Sequence, residues 1–180
     1  MGCDFLAGGV AGGGHARLVI TAGFWRSVGW SAARILGGFA LACGLGTLLA
    51  GLSARFGFIR ALLWPAVAAV KAVPVVSFII LALVWLPSRQ LSLFISALMV
   101  FPTVYLNVLA GVDRTDTALL EMARVFRVPA SRRLRDIYLP QVLPWFRSAC
   151  ALGLGLCWKS GVAAEVIGLP AGSVGERLYN

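Results

Sequence analysis

Charge is what this sequence has least of. Of its 180 residues, 13% are charged and 59% are hydrophobic, and the mean hydropathy is +0.87. A water-soluble domain carries about a quarter charged residues. Roughly half the charge that a water-facing surface needs is therefore missing, and a bilayer is the expected solvent. Acids are scarcest: Asp4, Asp113, Asp116, Glu121, Asp136, Glu165 and Glu176 are the whole set. No two of them are spaced as a plausible buried acid–base pair. A single histidine, His15, excludes a zinc-type histidine motif and a catalytic triad with a matching partner set. Set among glycines, it reads as a solvated loop residue. Cys3, Cys43, Cys150 and Cys157 form no C-x-x-C pair, and the last three lie in apolar runs where cysteine behaves as a small inert hydrophobe. Neither a metal nor a disulfide is expected, and nothing supports catalysis or a cofactor bound by this chain.

One stretch imitates a nucleotide site. "GLGLCWKS", residues 153–160, has the glycine and the Lys-Ser of a phosphate-binding loop at the right spacing, but Trp158 stands where glycine should precede the lysine. Such a loop curls backbone amides around phosphate between a strand and a helix. An indole within an apolar helix blocks that cradle, so ATP binding here is rejected.

Long apolar runs are abundant, and about 20 such residues cross the hydrocarbon as a helix. Residues 1–28 are glycine-rich and mixed, and read as an extramembrane flank. Four spans are predicted at about 29–52, 61–86, 91–112 and 139–167, within one membrane domain over 29–180. The expected fold class is all-α and polytopic, with about four transmembrane helices. Ala40 with Gly44, and Gly46 with Ala50, have the four-residue spacing that lets helix backbones approach closely in lipid. Pro74 interrupts the second span and predicts a kink. Pro140 and Pro144 fall near the start of the fourth, where proline is tolerated. Trp30, Trp64, Trp85, Trp145 and Trp158 lie mostly near span ends, as an aromatic belt does.

The formal charge is +9. Its basic residues are dispersed between apolar runs, which reads as membrane topology and contact with anionic lipid rather than nucleic-acid binding. Arg114, Arg124, Arg127, Arg132, Arg133 and Arg135 crowd into residues 113–138. The positive-inside rule makes that loop cytoplasmic and puts both chain ends outside. Within it, apolar residues of "TALLEMARVFRV" recur at helical spacing, with Thr117 available as N-cap. Pro129 ends that helix, and Ser131 is placed to cap a second short one. Two readings remain open from spacing alone. The helices rest on headgroups, or they dock a cytoplasmic partner in helix-in-groove fashion.

Lys71, Lys159 and Glu165 are ionisable residues inside predicted spans. Charge facing lipid at mid-depth costs at least about 2.5–3.5 kcal/mol, so such residues should face the bundle interior or a water-filled path. Lys159 and Glu165, six residues apart, point about 120° away from each other on one helix. The lysines are candidate pathway residues favouring an anion, and Glu165 is a weaker third. Structural hydrogen bonding or snorkelling near a span end is the competing account.

"EMARVFRVPASRRLRDIYLP" resembles the signature loop of ABC importer permeases, a glutamate-alanine-alanine motif running on to isoleucine, one residue, then leucine-proline. Glu121, Ala123, Ile137, Leu139 and Pro140 match at the family's spacing. "AVPVVSFIILALVWL" and "CWKSGVAAEVIGLPAGSVGERLY" are similar to the branch importing nitrate, sulfonate or taurine-type solutes. Two positions depart: Met122 replaces an alanine-type residue, and Arg127 stands where a glycine is expected. The chain also stops earlier than family members, which continue into at least one further span, so a truncated permease is expected. The resemblance implies a substrate pathway for a small anionic solute across the inner (plasma) membrane. It implies a pair of permease chains, a cytoplasmic ABC ATPase dimer carrying the ATP, and a periplasmic or lipid-anchored solute-binding protein. The 117–140 loop would be the handle by which the ATPase moves the pore. Glu121 would orient it, Ala123 would permit close approach, and Arg124 and Arg127 would pair with acids on the ATPase. The competing functions are a non-transporting membrane anchor whose basic loop recruits a partner, and an ion-driven secondary transporter.

Overall fold

The computed structural model describes residues 22–168. Most of the expected flank lies outside the described residues, with Cys3, Asp4, His15 and Arg17; so do Glu176 and Arg177. The described chain is helical throughout, in seven α-helices and one π-helical segment. Three are long and apolar enough to cross a membrane, or up to four if one bent pair makes a single span.

Helix α1 spans Ala22–Arg55 and so begins inside the expected flank. No proline interrupts residues 22–55, and Ser27 and Ser31 are buried near its start. Phe56, extended at φ −124°, separates α1 from α2, Gly57–Ala72. Helix α3 follows at Val75–Trp85. The kink expected at Pro74 is a full corner: α2 and α3 are bent by 106°. Proline's ring forces the preceding residue out of the helical region, and Val73 is accordingly extended at φ −89°, ψ 133°. Each half then finds its own contacts. Arg60 near the start of α2 forms a two-pronged ion pair with Asp113, at 2.9 and 3.1 Å. Ile79 and Ala82 of α3 pack with Leu91, Ile95 and Ala164.

Helix α4, Ser88–Asp113, is the centre of the molecule. Val100, Val104, Tyr105, Val108 and Leu109 form a buried cluster with Ile35, Ala42 and Ala50 of α1, Val67 of α2, and Ala149 and Cys157 of the last helix, α7. In lipid the surrounding solvent is as apolar as leucine, so close packing of small residues decides which faces meet. A methyl added at Gly46 would lie 3.0 Å from Val104, and one at Gly38 would run into the Leu93 carbonyl. Gly38, Ala42, Gly46 and Ala50 thus make a four-residue ladder along which α1 lies parallel to α4. Of the two small pairs in the sequence, Gly46 and Ala50 belong to this contact. Ala40 is exposed, and Gly44 has nothing within 4 Å of an added methyl. Tyr105 hydroxyl donates to Ser53 Oγ at 3.0 Å, tying the same pair of helices.

After α4 come α5, Thr117–Val125, and α6, Ala130–Arg133, then a π-helical turn over Leu134–Tyr138 that runs straight into α7, Leu139–Gly168. The expected gap before a span at 139 is absent, and helix continues over Ala130–Gly168, 39 residues. Pro140 explains the wide turn. Its missing N–H and its ring forbid a normal α-helical bond to residue 136, and Leu139 N–H reaches back five residues to the Leu134 carbonyl. Helix α7 is antiparallel to α4: Gly111 meets Trp145, Val100 meets Gly153, Ser96 meets Gly161 and Leu91 meets Gly168.

Candidate functional site: the basic loop and the intramembrane charges

Two capping expectations change. The N-cap of α5 is Asp116, whose Oδ1 accepts from Ala118 N–H at 2.8 Å, and Thr117 is the first helical residue instead. A carboxylate one residue earlier reaches the same free amides and carries the charge that suits a helix N-terminus. Asp116 N–H also donates to Gln141 Oε1 at 2.9 Å, fastening the start of α5 to α7. Before α6, Pro129 occupies the cap position with no side-chain bond, and Ser131 lies exposed within the helix. Pro129 already breaks the chain and presets its own φ, −61°, so a serine cap is not needed there.

The end of α5 resolves the arginine at the expected glycine position. Arg127 has φ +49°, the only positive φ among the described non-glycine residues. Val128 N–H donates to the Ala123 carbonyl at 2.9 Å, and Phe126 N–H to the Met122 carbonyl at 3.0 Å. A bond reaching back five residues beside a left-handed residue is the Schellman stop that glycine usually supplies. The loop therefore bends where the motif calls for glycine, with an arginine held in the bend.

This stop sorts the faces of α5. Ala123 is 1% exposed and turned inward, whereas Met122, Val125 and Phe126 are 50%, 79% and 75% exposed. Glu121, Arg124 and Arg127 are exposed beside them. Further on, Ile137 is half-buried and Leu139 and Pro140 are exposed. The outward side of α5 is thus an apolar strip bordered by one acid and two arginines, supported from beneath by a buried alanine. Arg114, stacked 4.9 Å from the Trp145 ring, and the Arg60–Asp113 pair hold the adjoining end of α4.

The three intramembrane charges are not brought together. Lys71 is exposed in the last turn of α2, where a cation also suits the helix C-terminus. Lys159 is exposed on α7, on the side away from the packed stripe of Gly153, Cys157, Ser160, Gly161, Ala164 and Glu165. Glu165 is 1% exposed and lies inside the chain's own packing. Residues 153–160 are interior helix, so their amides serve the helix ladder. Gly38 and Ala42 escaped the sequence reading, though they continue the same four-residue spacing as Gly46 and Ala50. Cys43 and Cys150, treated there as unrelated, bring their sulfurs within 4.0 Å of each other between α1 and α7.

An all-helical core with helices long and apolar enough to cross a membrane, and a basic, partly apolar loop between two of them, defines a polytopic membrane protein. Residues 42–180 match the model of the binding-protein-dependent transport system inner membrane component family, and the chain belongs to that family. It is 32% identical over 139 residues to the aliphatic sulfonates transport permease protein SsuC of Bacillus subtilis, covering 75% of this chain and 49% of that protein. It is 26% identical over 148 residues to the bicarbonate transport system permease protein CmpB of Synechococcus elongatus, covering 80% and 52%. It is 28% identical over 127 residues to the taurine transport system permease protein TauC of Escherichia coli, covering 67% and 46%. The chain spans about half the length of these curated relatives. Membership of this family and the apolar helices identify a multi-pass protein of the inner membrane.

Proposed function

We propose that this chain is a permease subunit of an ATP-driven ABC importer for a small anionic solute, coupled to a separate ATPase through residues 117–140. The observation that carries the reading is the outward face of α5. Met122, Val125 and Phe126 are exposed together on one helix, flanked by Glu121, Arg124 and Arg127, in the loop that the positive-inside rule assigns to the cytoplasm. Apolar side chains in that position gain by entering a groove on a protein, and the arginines suit acids at its rim. Asp116, Gln141 and the Schellman stop make α5 a rigid lever rather than a tether. Movement of α5 is therefore passed to α4 and α7, which it joins.

Lys159 supports the anionic solute. It stands on the unpacked side of α7 with Leu152 and Gly155, where a second copy of this chain would enclose it in a water-filled path. Lys71, exposed beside the α2–α3 corner, is the second cation of that path. Sulfonate, bicarbonate and taurine, the solutes named for the relatives, all carry an anionic group, and a solute-binding protein outside would make the first selection. Family membership favours this reading over a non-transporting anchor.

The test is uptake of radiolabelled sulfonate, bicarbonate and taurine into proteoliposomes holding the chain with its cognate ATPase and binding protein. Uptake that needs ATP, stops when the ATPase loses its catalytic lysine and weakens in Lys159→Gln supports the reading. Uptake that survives the ATPase mutation refutes it.

A further inference from the structure

Helices α1 and α7 meet along three successive turns of α1, and the third contact brings two reactive groups together. A methyl added at Gly161 would lie 2.6 Å from Ile35 Cγ1, and one added at Gly153 would lie 3.2 Å from Phe39 Cε2. One turn further along α1 stands Cys43, whose sulfur is 4.0 Å from that of Cys150 on α7. Positions rise along α1 as they fall along α7, so the two helices run antiparallel and the three contacts make one seam. The missing side chains of Gly153 and Gly161 let the backbones approach, as small residues do between helices in lipid.

Both cysteines are free thiols and half-buried. Cysteine that serves only as a small hydrophobe has no need to face another. Cys157 is different: it is buried, and its sulfur donates to the Leu154 carbonyl of its own helix at 3.1 Å. A disulfide requires sulfurs about 2.05 Å apart, so Cys43 and Cys150 reach it if each sulfur moves by about 1 Å. Exposed Leu41, Leu45 and Leu152 flank the pair, and a reagent coming from the acyl chains meets it first.

We propose that Cys43 and Cys150 are a modification site, a dithiol that a lipid-soluble hydroperoxide oxidises to a disulfide stapling α1 to α7. One sulfur attacks the terminal oxygen of the hydroperoxide. The O–O bond breaks, the alcohol leaves with the thiol proton, and a sulfenic acid forms. The second sulfur then attacks the first. The S–S bond forms, the S–O bond breaks, and water leaves with the second thiol proton. The two thiols lose two electrons, and the hydroperoxide is reduced to alcohol and water. On the transport reading above, α5 passes its movement to α7, so a staple to α1 arrests uptake. The disulfide itself does not rest on that reading.

The test uses the full chain in nanodiscs, with Cys3→Ser and Cys157→Ser, treated with cumene hydroperoxide. Free thiols are then blocked under denaturing conditions and the peptides mapped by mass spectrometry. Cys43 joined to Cys150 within one chain, short of two hydrogens and released by dithiothreitol, is expected. Cys43→Ala and Cys150→Ala should each abolish it. Sulfenic or sulfinic acid without a cross-link, or cross-links only between chains, overturns the pairing. Copper phenanthroline separates geometry from reagent. A disulfide formed with it but not with the hydroperoxide overturns the hydroperoxide chemistry, and none with either overturns the site. In the proteoliposome assay, ATP-driven uptake should fall with the fraction of chains cross-linked and recover with dithiothreitol, whereas Cys43→Ala should keep its uptake throughout. Full uptake by cross-linked chains overturns the arrest. Cross-linking with no uptake by the reduced chain refutes the transport reading alone.

Discussion

Replacing Arg127 with glycine should strengthen the loop while weakening what the loop binds. Arg127 sits at φ +49°, where an L side chain crowds the following carbonyl at a cost of about 1–2 kcal/mol. Glycine removes that cost but has more freedom to lose on folding, an offset of about 0.4–1 kcal/mol. The net expectation is a gain of about 0.5–1 kcal/mol, local to the end of α5. The bond that reports it is Val128 N–H to the Ala123 carbonyl, at 2.9 Å. A gain of that size corresponds to about a twofold to fivefold slowing of hydrogen exchange at Val128 if exchange occurs by local opening. Arg127→Ala is the control, because it removes the charge and keeps the crowding carbon. Both variants should lose the same affinity for the ATPase if the guanidinium pairs with an acid there. Only the glycine variant should slow exchange. Equal exchange in wild type and Arg127→Gly, or faster exchange in the glycine variant, would refute the claim that the bend is strained.

Further expectations concern packing and capping. Gly46→Leu should destabilise the α1–α4 contact by about 1–3 kcal/mol, because an added carbon already meets Val104 at 3.0 Å, whereas Gly44→Ala should leave Tm unchanged or slightly raised. Ala123→Leu should unseat α5 at a similar cost, seen as faster exchange through residues 117–128 and loss of bound ATPase. Asp116→Ala should cost the start of α5 about 1 kcal/mol, measured by exchange at Ala118. Arg60→Ala should change Tm little, since its pair with Asp113 is exposed at 47% and 40% and such pairs are worth about 0–1 kcal/mol.

The helices were legible in the sequence because apolar runs of span length have few alternatives in lipid. The corner at Pro74 was only partly so. Proline announces a lost hydrogen bond and an extended Val73, but the size of the bend depends on where the two halves find partners. Arg60 finds Asp113, 53 residues away, and Ile79 finds Leu91 and Ile95. Neither contact has a local signature. Prolines 140 and 144 suggested a helix start because that is where proline costs least. A helix already under way at Ala130 accommodates Pro140 with a wider turn instead. Asp116 and Thr117 are both good caps, and sequence alone does not choose between neighbours. The outward face of α5 was readable from spacing, and the buried place of Ala123 was not. Lys71, Lys159 and Glu165 look alike on paper as charges in apolar runs. Only the packing of α7 separates an inward glutamate from an outward lysine.

The most direct test of the account asks whether the outward face of α5 binds an ATPase. The tagged chain would be purified from its native membrane in mild detergent, alongside Glu121→Arg and Phe126→Asp, and its associated proteins identified by mass spectrometry. Phe126 is 75% exposed, so its substitution spares the fold. The account predicts an ABC ATPase bound to the wild-type chain and lost from both variants, with all three equally folded by circular dichroism. A folded, abundant wild-type chain without an ATPase, or an ATPase retained by both variants, would contradict it.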